Sequence, residues 1–139
     1  MAVKLDLSSL ENAFAQLETN YGMAEKEREM QTPYFEPLRT ACIKGFEMLC
    51  ELSIKFIRRA LEEMGEDGNK LAEMAFRDVL RLTAENGLIA DPVLWFGFCA
   101  ERNKAAHTHD TDVVQEIYRR IPIYIEAAED LLSRLRQCT

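Results

Sequence analysis

The sequence predicts an all-α protein, folded as an antiparallel, up-and-down bundle of four to five helices. Three observations carry this expectation. Five segments repeat apolar residues at 3-4 spacing, no alternating strand pattern of useful length interrupts them, and six glycines and four prolines cluster at the breaks. Short connections between such segments favour antiparallel neighbours. A chain of 139 residues suits a single domain spanning residues 1–139, able to bury roughly two-thirds of its unfolded surface.

The first helix is expected from near Ser8, where Ser8 and Glu11 have the spacing of a capping box. Leu10, Phe14, Leu17 and Tyr21 then form one apolar stripe. Pro33 marks the following break. The second helix should run from about Glu36 to Met64 with two apolar rows, one through Leu38, Cys42, Phe46 and Leu49, the other through Ile43, Cys50, Ile54, Ile57 and Leu61. Two rows predict a central helix. Glu51–Lys55, Arg58–Glu62 and Arg59–Glu63 have i, i+4 spacing suited to a solvated face. Gly65-Glu66-Asp67-Gly68 ends it. A third helix is read from Lys70 to Glu85 with Leu71, Ala75, Val79 and Leu82 inward, stopped by Asn86-Gly87. Asp91-Pro92 supplies a cap and a first helical proline for the fourth, which turns Trp95, Phe98 and Cys99 inward and ends near Lys104. After a loop over 105–111, the fifth starts near Asp112 and carries Val114, Ile117, Ile121, Tyr124, Ala128, Leu131 and Leu135 along a seam, with Pro122 expected to kink it.

The net charge of −7 and a pI near 4.9 argue against broad, nonspecific nucleic-acid binding, while leaving room for a local basic site. No apolar run approaches the ~20 residues that span a bilayer, so no membrane association is expected. The segment from Met1 to Asp6 lacks the apolar core of a signal peptide, and a cytoplasmic protein is expected. Cys42, Cys50, Cys99 and Cys138 form no CxxC, and reduced thiols are the expected state. No Gly-rich phosphate loop, serine nucleophile elbow or HExxH occurs, and no cofactor is expected.

Chemistry concentrates in Arg102-Asn103-Lys104-Ala105-Ala106-His107-Thr108-His109-Asp110, which holds both histidines of the chain. Histidine suits proton transfer near neutral pH, and arginine holds phosphate oxygens bidentately. Arg102 would bind and stabilise a phosphodiester, His107 would move protons, and Asn103, sharing a helical face with His107, could orient the imidazole. On one continuous helix, five positions place Arg102 and His107 about 140° apart, so they converge only if the helix ends between them or a second subunit contributes. A plainer reading stays open: Lys104, His107 and His109 dress an exposed turn, and Arg102 pairs with Glu101 or Asp110. With Asp110 and Asp112 the only extra ligands nearby, no metal site is expected. Trp95, Phe96 and Phe98 are spaced for packing; Arg119 and Arg120, with Arg134 and Arg136 further along the same helix, either give local positive charge or, the plainer reading, serve surface solubility.

Several pieces together carry a resemblance: Ile43 to Leu52, Phe76-Arg77-Asp78-Val79-Leu80-Arg81, Gly87-Leu88-Ile89, Trp95, Arg102-Asn103, His107-Thr108 and Ile121-Pro122. In this order, over roughly residues 36–136, they resemble the nucleotidyltransferase substrate-binding proteins, a branch of the HEPN superfamily. The resemblance implies a helical bundle, a homodimer with the motif helices near its axis, and a minimal nucleotidyltransferase encoded nearby as partner. It further implies a metal-independent RNase toxin acting on RNA through Arg102 and His107 of an Arg-x₄-His motif, with Asn103, Lys104 and His109 as supporting or substrate-binding neighbours. Related toxins often carry a tyrosine, open to adenylylation, two residues after the histidine; this chain has His109 there. A non-catalytic subunit that positions substrate for the nucleotidyltransferase is the second function the resemblance allows.

Overall fold

The computed structural model describes residues 5–138. It contains six helices: α1 (Ser8–Glu29), α2 (Phe35–Glu63), α3 (Gly68–Glu73), α4 (Phe76–Glu85), α5 (Pro92–His107) and α6 (Thr111–Cys138), with no strand among the described residues. The chain is all-α, as expected, with one helix more than the four to five read from periodicity. α1 and α2 form a long hairpin, α6 packs on both, and α5 lies against α2, α4 and α6. The central role expected for α2 is therefore seen: it touches α1, α3, α5 and α6.

The apolar rows explain this packing. Cys42, Ile43, Phe46, Leu49, Cys50, Phe56, Ile57, Ala60 and Leu61 of α2 are all buried. Phe46 meets the rings of Phe98 and Tyr124 at centroid distances of 5.2 and 5.0 Å, and Phe98 meets Trp95 and Tyr124 at 4.9 and 4.5 Å. One aromatic cluster thus joins α2, α5 and α6.

The helix ends follow backbone chemistry. α1, α2 and α4 each stop with paired reversed bonds, Thr32 N–H to Glu27 C=O, Glu66 to Leu61 and Leu88 to Thr83, the Schellman arrangement. Gly65 (φ +105°) and Gly87 (φ +78°) supply the left-handed residue in two of them, but Gln31 takes φ +54° in the first. At the start of α1 the Ser8–Glu11 capping box does not form; the Asp6 carboxylate accepts from the Ser8 N–H at 3.0 Å instead.

The third expected helix is two. Met74 and Ala75 are extended, with ψ of 145° and 141°. α3 rests on α2 and α4 on α5, so the two-residue link re-aims the chain between two neighbours. Ala75, read as inward, is exposed, while Leu80 is buried. The charge pairs expected along α2 also go elsewhere. Glu51 pairs with Arg102, Arg58 donates to the Leu71 carbonyl at 3.3 Å, and Arg59 lies 5.5 Å from the Phe56 ring centroid. Finally, α5 continues past Lys104 to His107 and α6 starts at Thr111, which shortens the expected 105–111 loop to three residues.

Candidate functional site

α5 carries the site. Its start is fixed by Asp91, whose carboxylate accepts from the N–H of Val93 at 3.0 Å and of Leu94 at 3.4 Å, with Pro92 in the first turn where no N–H is needed. Trp95, Phe98, Glu101 and Ala105 are its buried residues. Burial of Glu101 is tolerated because Arg120 of α6 pairs with it. Cys99 and Arg102, one turn apart, face α2.

There Arg102 forms an ion pair with Glu51, and its Nη1 donates to Asn103 Oδ1 at 3.1 Å. Its Nε is shielded from solvent and has no partner. The hydrogen bond to Glu51 holds the guanidinium still more firmly in its charged form. With Cys50, Ile54, Phe76 and Cys99, these three residues line a cavity of about 370 Å³. The Sγ atoms of Cys50 and Cys99 lie 3.6 Å apart in its wall. Their hydrogen bond and burial push the Cys50 thiol up, and the same bond draws Cys99 down. All four cysteines are free thiols.

The other motif residues lie outside this cavity. His107 is the exposed last residue of α5, and His109 is exposed in the following turn. That turn is held by Thr108 Oγ1, which accepts from the Asp110 N–H at 3.0 Å, and by Asp110 Oδ1, which accepts from the Asp112 N–H at 2.9 Å and so caps α6. Lys104 lines a separate hollow with Glu101, Asp112 and Arg120. Asn103 shares a helical face with His107, yet its carbonyl serves Arg102. Because α5 is unbroken from Arg102 to His107, the two side chains leave it about 140° apart. One chain therefore offers a phosphate-binding guanidinium and a proton-carrying imidazole on different faces of one helix.

Sequence spacing did not reveal Glu51 as the partner of Arg102. The two are 51 residues apart, and only the α2–α5 packing brings them together. The alternatives Glu101 and Asp110 are engaged by Arg120 and by the start of α6. Phe96 is partly buried, with the Arg77 and Arg81 guanidiniums 5.2 and 5.7 Å from its ring centroid. Among the described residues, no three His, Cys, Asp or Glu side chains gather as a metal cage, and no helix is long and apolar enough to cross a membrane.

Comparison with known proteins agrees with this architecture. The chain is 30% identical over 140 residues to a Haemophilus influenzae protein named as a probable ribonuclease HepT, covering 99% of this chain and 96% of that one. Its fold matches HI0074 of Haemophilus influenzae, described as revealing the fold of a substrate binding domain of a nucleotidyltransferase, with a TM-score of 0.88 and 28% identity over 94% of this chain and 99% of the other. A Thermus thermophilus protein matches with a TM-score of 0.63 and 27% identity, over 86% and 98% of the two chains. Residues 5–137 match the family described as nucleotidyltransferase substrate binding protein like, and the chain belongs to that family.

Proposed function

We propose that this protein is the HEPN-type partner of a minimal nucleotidyltransferase and acts as a metal-independent endoribonuclease, the toxin of a toxin–antitoxin pair. The observation that carries this reading is the placement of Arg102. Its guanidinium lines a cavity large enough for a small polar group, five residues before an exposed imidazole at the end of the same helix. The likeness to a probable ribonuclease supports the same assignment.

In the proposed reaction Arg102 leaves Glu51 to hold the scissile phosphate and its developing charge. His107 takes the proton from the ribose 2′-hydroxyl, whose oxygen attacks phosphorus while the P–O5′ bond breaks. A second imidazole, from His109, returns a proton to the departing 5′-oxygen. A homodimer about a two-fold axis supplies the missing convergence, because such an interface presents the same patch twice. His109 stands where related toxins carry tyrosine and has no hydroxyl to accept a nucleotide, so the nucleotidyltransferase restrains this protein by noncovalent binding over residues 102–109.

The test is cleavage of a labelled RNA in the presence of EDTA by the wild type, Arg102→Ala and His107→Ala. Each variant should lose ~10²–10⁴ in rate. Undiminished cleavage by His107→Ala would remove that residue from the mechanism. A second reading, a non-catalytic subunit that positions substrate for the nucleotidyltransferase, is favoured by one observation: Arg102 is already paired with Glu51 on the face of α5 turned away from His107. Absence of cleavage by the wild type, together with a nucleotidyltransferase activity that depends on this chain, would select it.

A further inference from the structure

A second cavity, of about 460 Å³, opens where α1, the start of α2 and the start of α6 meet. Its size falls within the roughly 300–1,000 Å³ typical of small-ligand pockets. Its lining is unusual for a chain of net charge −7. Arg28, Arg39 and Arg119 face it against a single carboxylate, Glu25. Arg28 is engaged by Glu25 through two bonds of 2.9 Å, and Arg119 is drawn outward to Glu116 at 2.8 Å. Arg39 makes no ion pair among the described residues. Its Nε is hidden from solvent without an acceptor, and its guanidinium carbon lies 5.5 Å from the Phe35 ring centroid.

Aromatic surface stands beside this charge. Tyr118 packs against Tyr21 and Phe35, each with centroids 5.4 Å apart. The Tyr118 hydroxyl donates to Glu25 Oε2 at 2.7 Å, so that carboxylate is engaged by Tyr118 and Arg28. Guanidinium groups prefer phosphate oxygens, and aromatic faces accept nucleobases with little sequence preference. An anion carrying a flat ring satisfies both.

We propose that this cavity binds a nucleoside monophosphate unit, its phosphate on Arg39 flanked by Arg119 and its base against the Tyr21–Phe35 surface. The unit is either a free mononucleotide or one nucleotide of an RNA strand, since both present the same groups. The site shares no residue with the Arg102 cavity, and the proposal holds whether or not the chain cleaves RNA.

Titration calorimetry on the full chain tests it, with AMP, UMP, adenosine, inorganic phosphate and a short oligouridylate as probes. AMP or UMP should bind at least about tenfold more tightly than adenosine or phosphate alone. Arg39→Met removes the guanidinium while keeping an unbranched side chain, and should weaken binding about tenfold or more. Arg119→Gln, at an exposed position, should weaken it less. Arg102→Gln should leave it unchanged. Tight binding of the oligouridylate without the mononucleotides, lost in Arg39→Met, would identify a strand as the source. The proposal is overturned if no nucleotide probe binds at millimolar concentration, if Arg39→Met and Arg119→Gln both bind like wild type, or if Arg102→Gln alone abolishes binding.

Discussion

In the proposed reaction Arg102 must exchange Glu51 for a phosphate, and this sets a measurable competition. The pair is partly solvent-exposed, with 32% and 56% of the two side chains accessible, and such pairs are worth at most ~1 kcal/mol. Glu51→Gln should therefore lower KM for RNA by about two- to fivefold with little change in kcat. A rise in KM would mean that Glu51 positions Arg102 productively. A different carboxylate contributes to acid stability. Hydrogen bonds from Arg28 and Tyr118 draw the Glu25 carboxyl below its ordinary value of 4.5. A group depressed in the folded state stabilises above its unfolded pKa and loses that contribution as pH falls through the folded value. Thermal melts of the wild type should thus drop as pH falls from about 5 to 3, and Glu25→Gln should flatten the drop. Arg102, Asn103, Lys104, His107 and His109 stand out as candidates because both histidines of the chain fall in one short segment beside an arginine. Glu51, the Cys50–Cys99 contact and the Arg39 cavity do not, because each depends on which helix faces join.

At the level of the elements, capping chemistry was readable where a single residue does the work, as at Asp91-Pro92 and Asn86-Gly87. It was misread where neighbours compete, as at Ser8, whose N–H is taken by Asp6. The split of α3 from α4 was also hidden. Leu71, Ala75, Val79 and Leu82 keep helical spacing, and only packing against two different helices breaks the row at Met74-Ala75. The length of α5 matters most for function. Three more helical residues than expected carry the helix to His107 and fix the angle between it and Arg102. Two substitutions probe these ends. Asp91→Ala should cost about 1 kcal/mol in chemical denaturation, through loss of two cap bonds. Gln31→Gly should instead stabilise by about 0.5–1 kcal/mol, because Gln31 holds φ +54° where glycine is unstrained. A destabilised glycine variant would indicate that the Gln31 side chain contributes contacts of its own.

For the whole molecule, the bundle follows from its apolar rows, and its centre is the cluster of Phe46, Trp95, Phe98 and Tyr124. Phe98 is fully buried and touches three other rings, so Phe98→Ala should cost about 3–5 kcal/mol. The unbroken α5 leaves one chain without a converged Arg102 and His107, and the proposed two-fold dimer is what brings them together. Mixing the two inactive variants tests this most directly. Arg102→Ala and His107→Ala, combined and allowed to exchange subunits, should regain RNA cleavage at about one quarter of the wild-type rate, because half of the dimers are mixed and each holds one intact site. A mixture as inactive as either variant alone, beside an active wild type, would contradict a site shared between two copies.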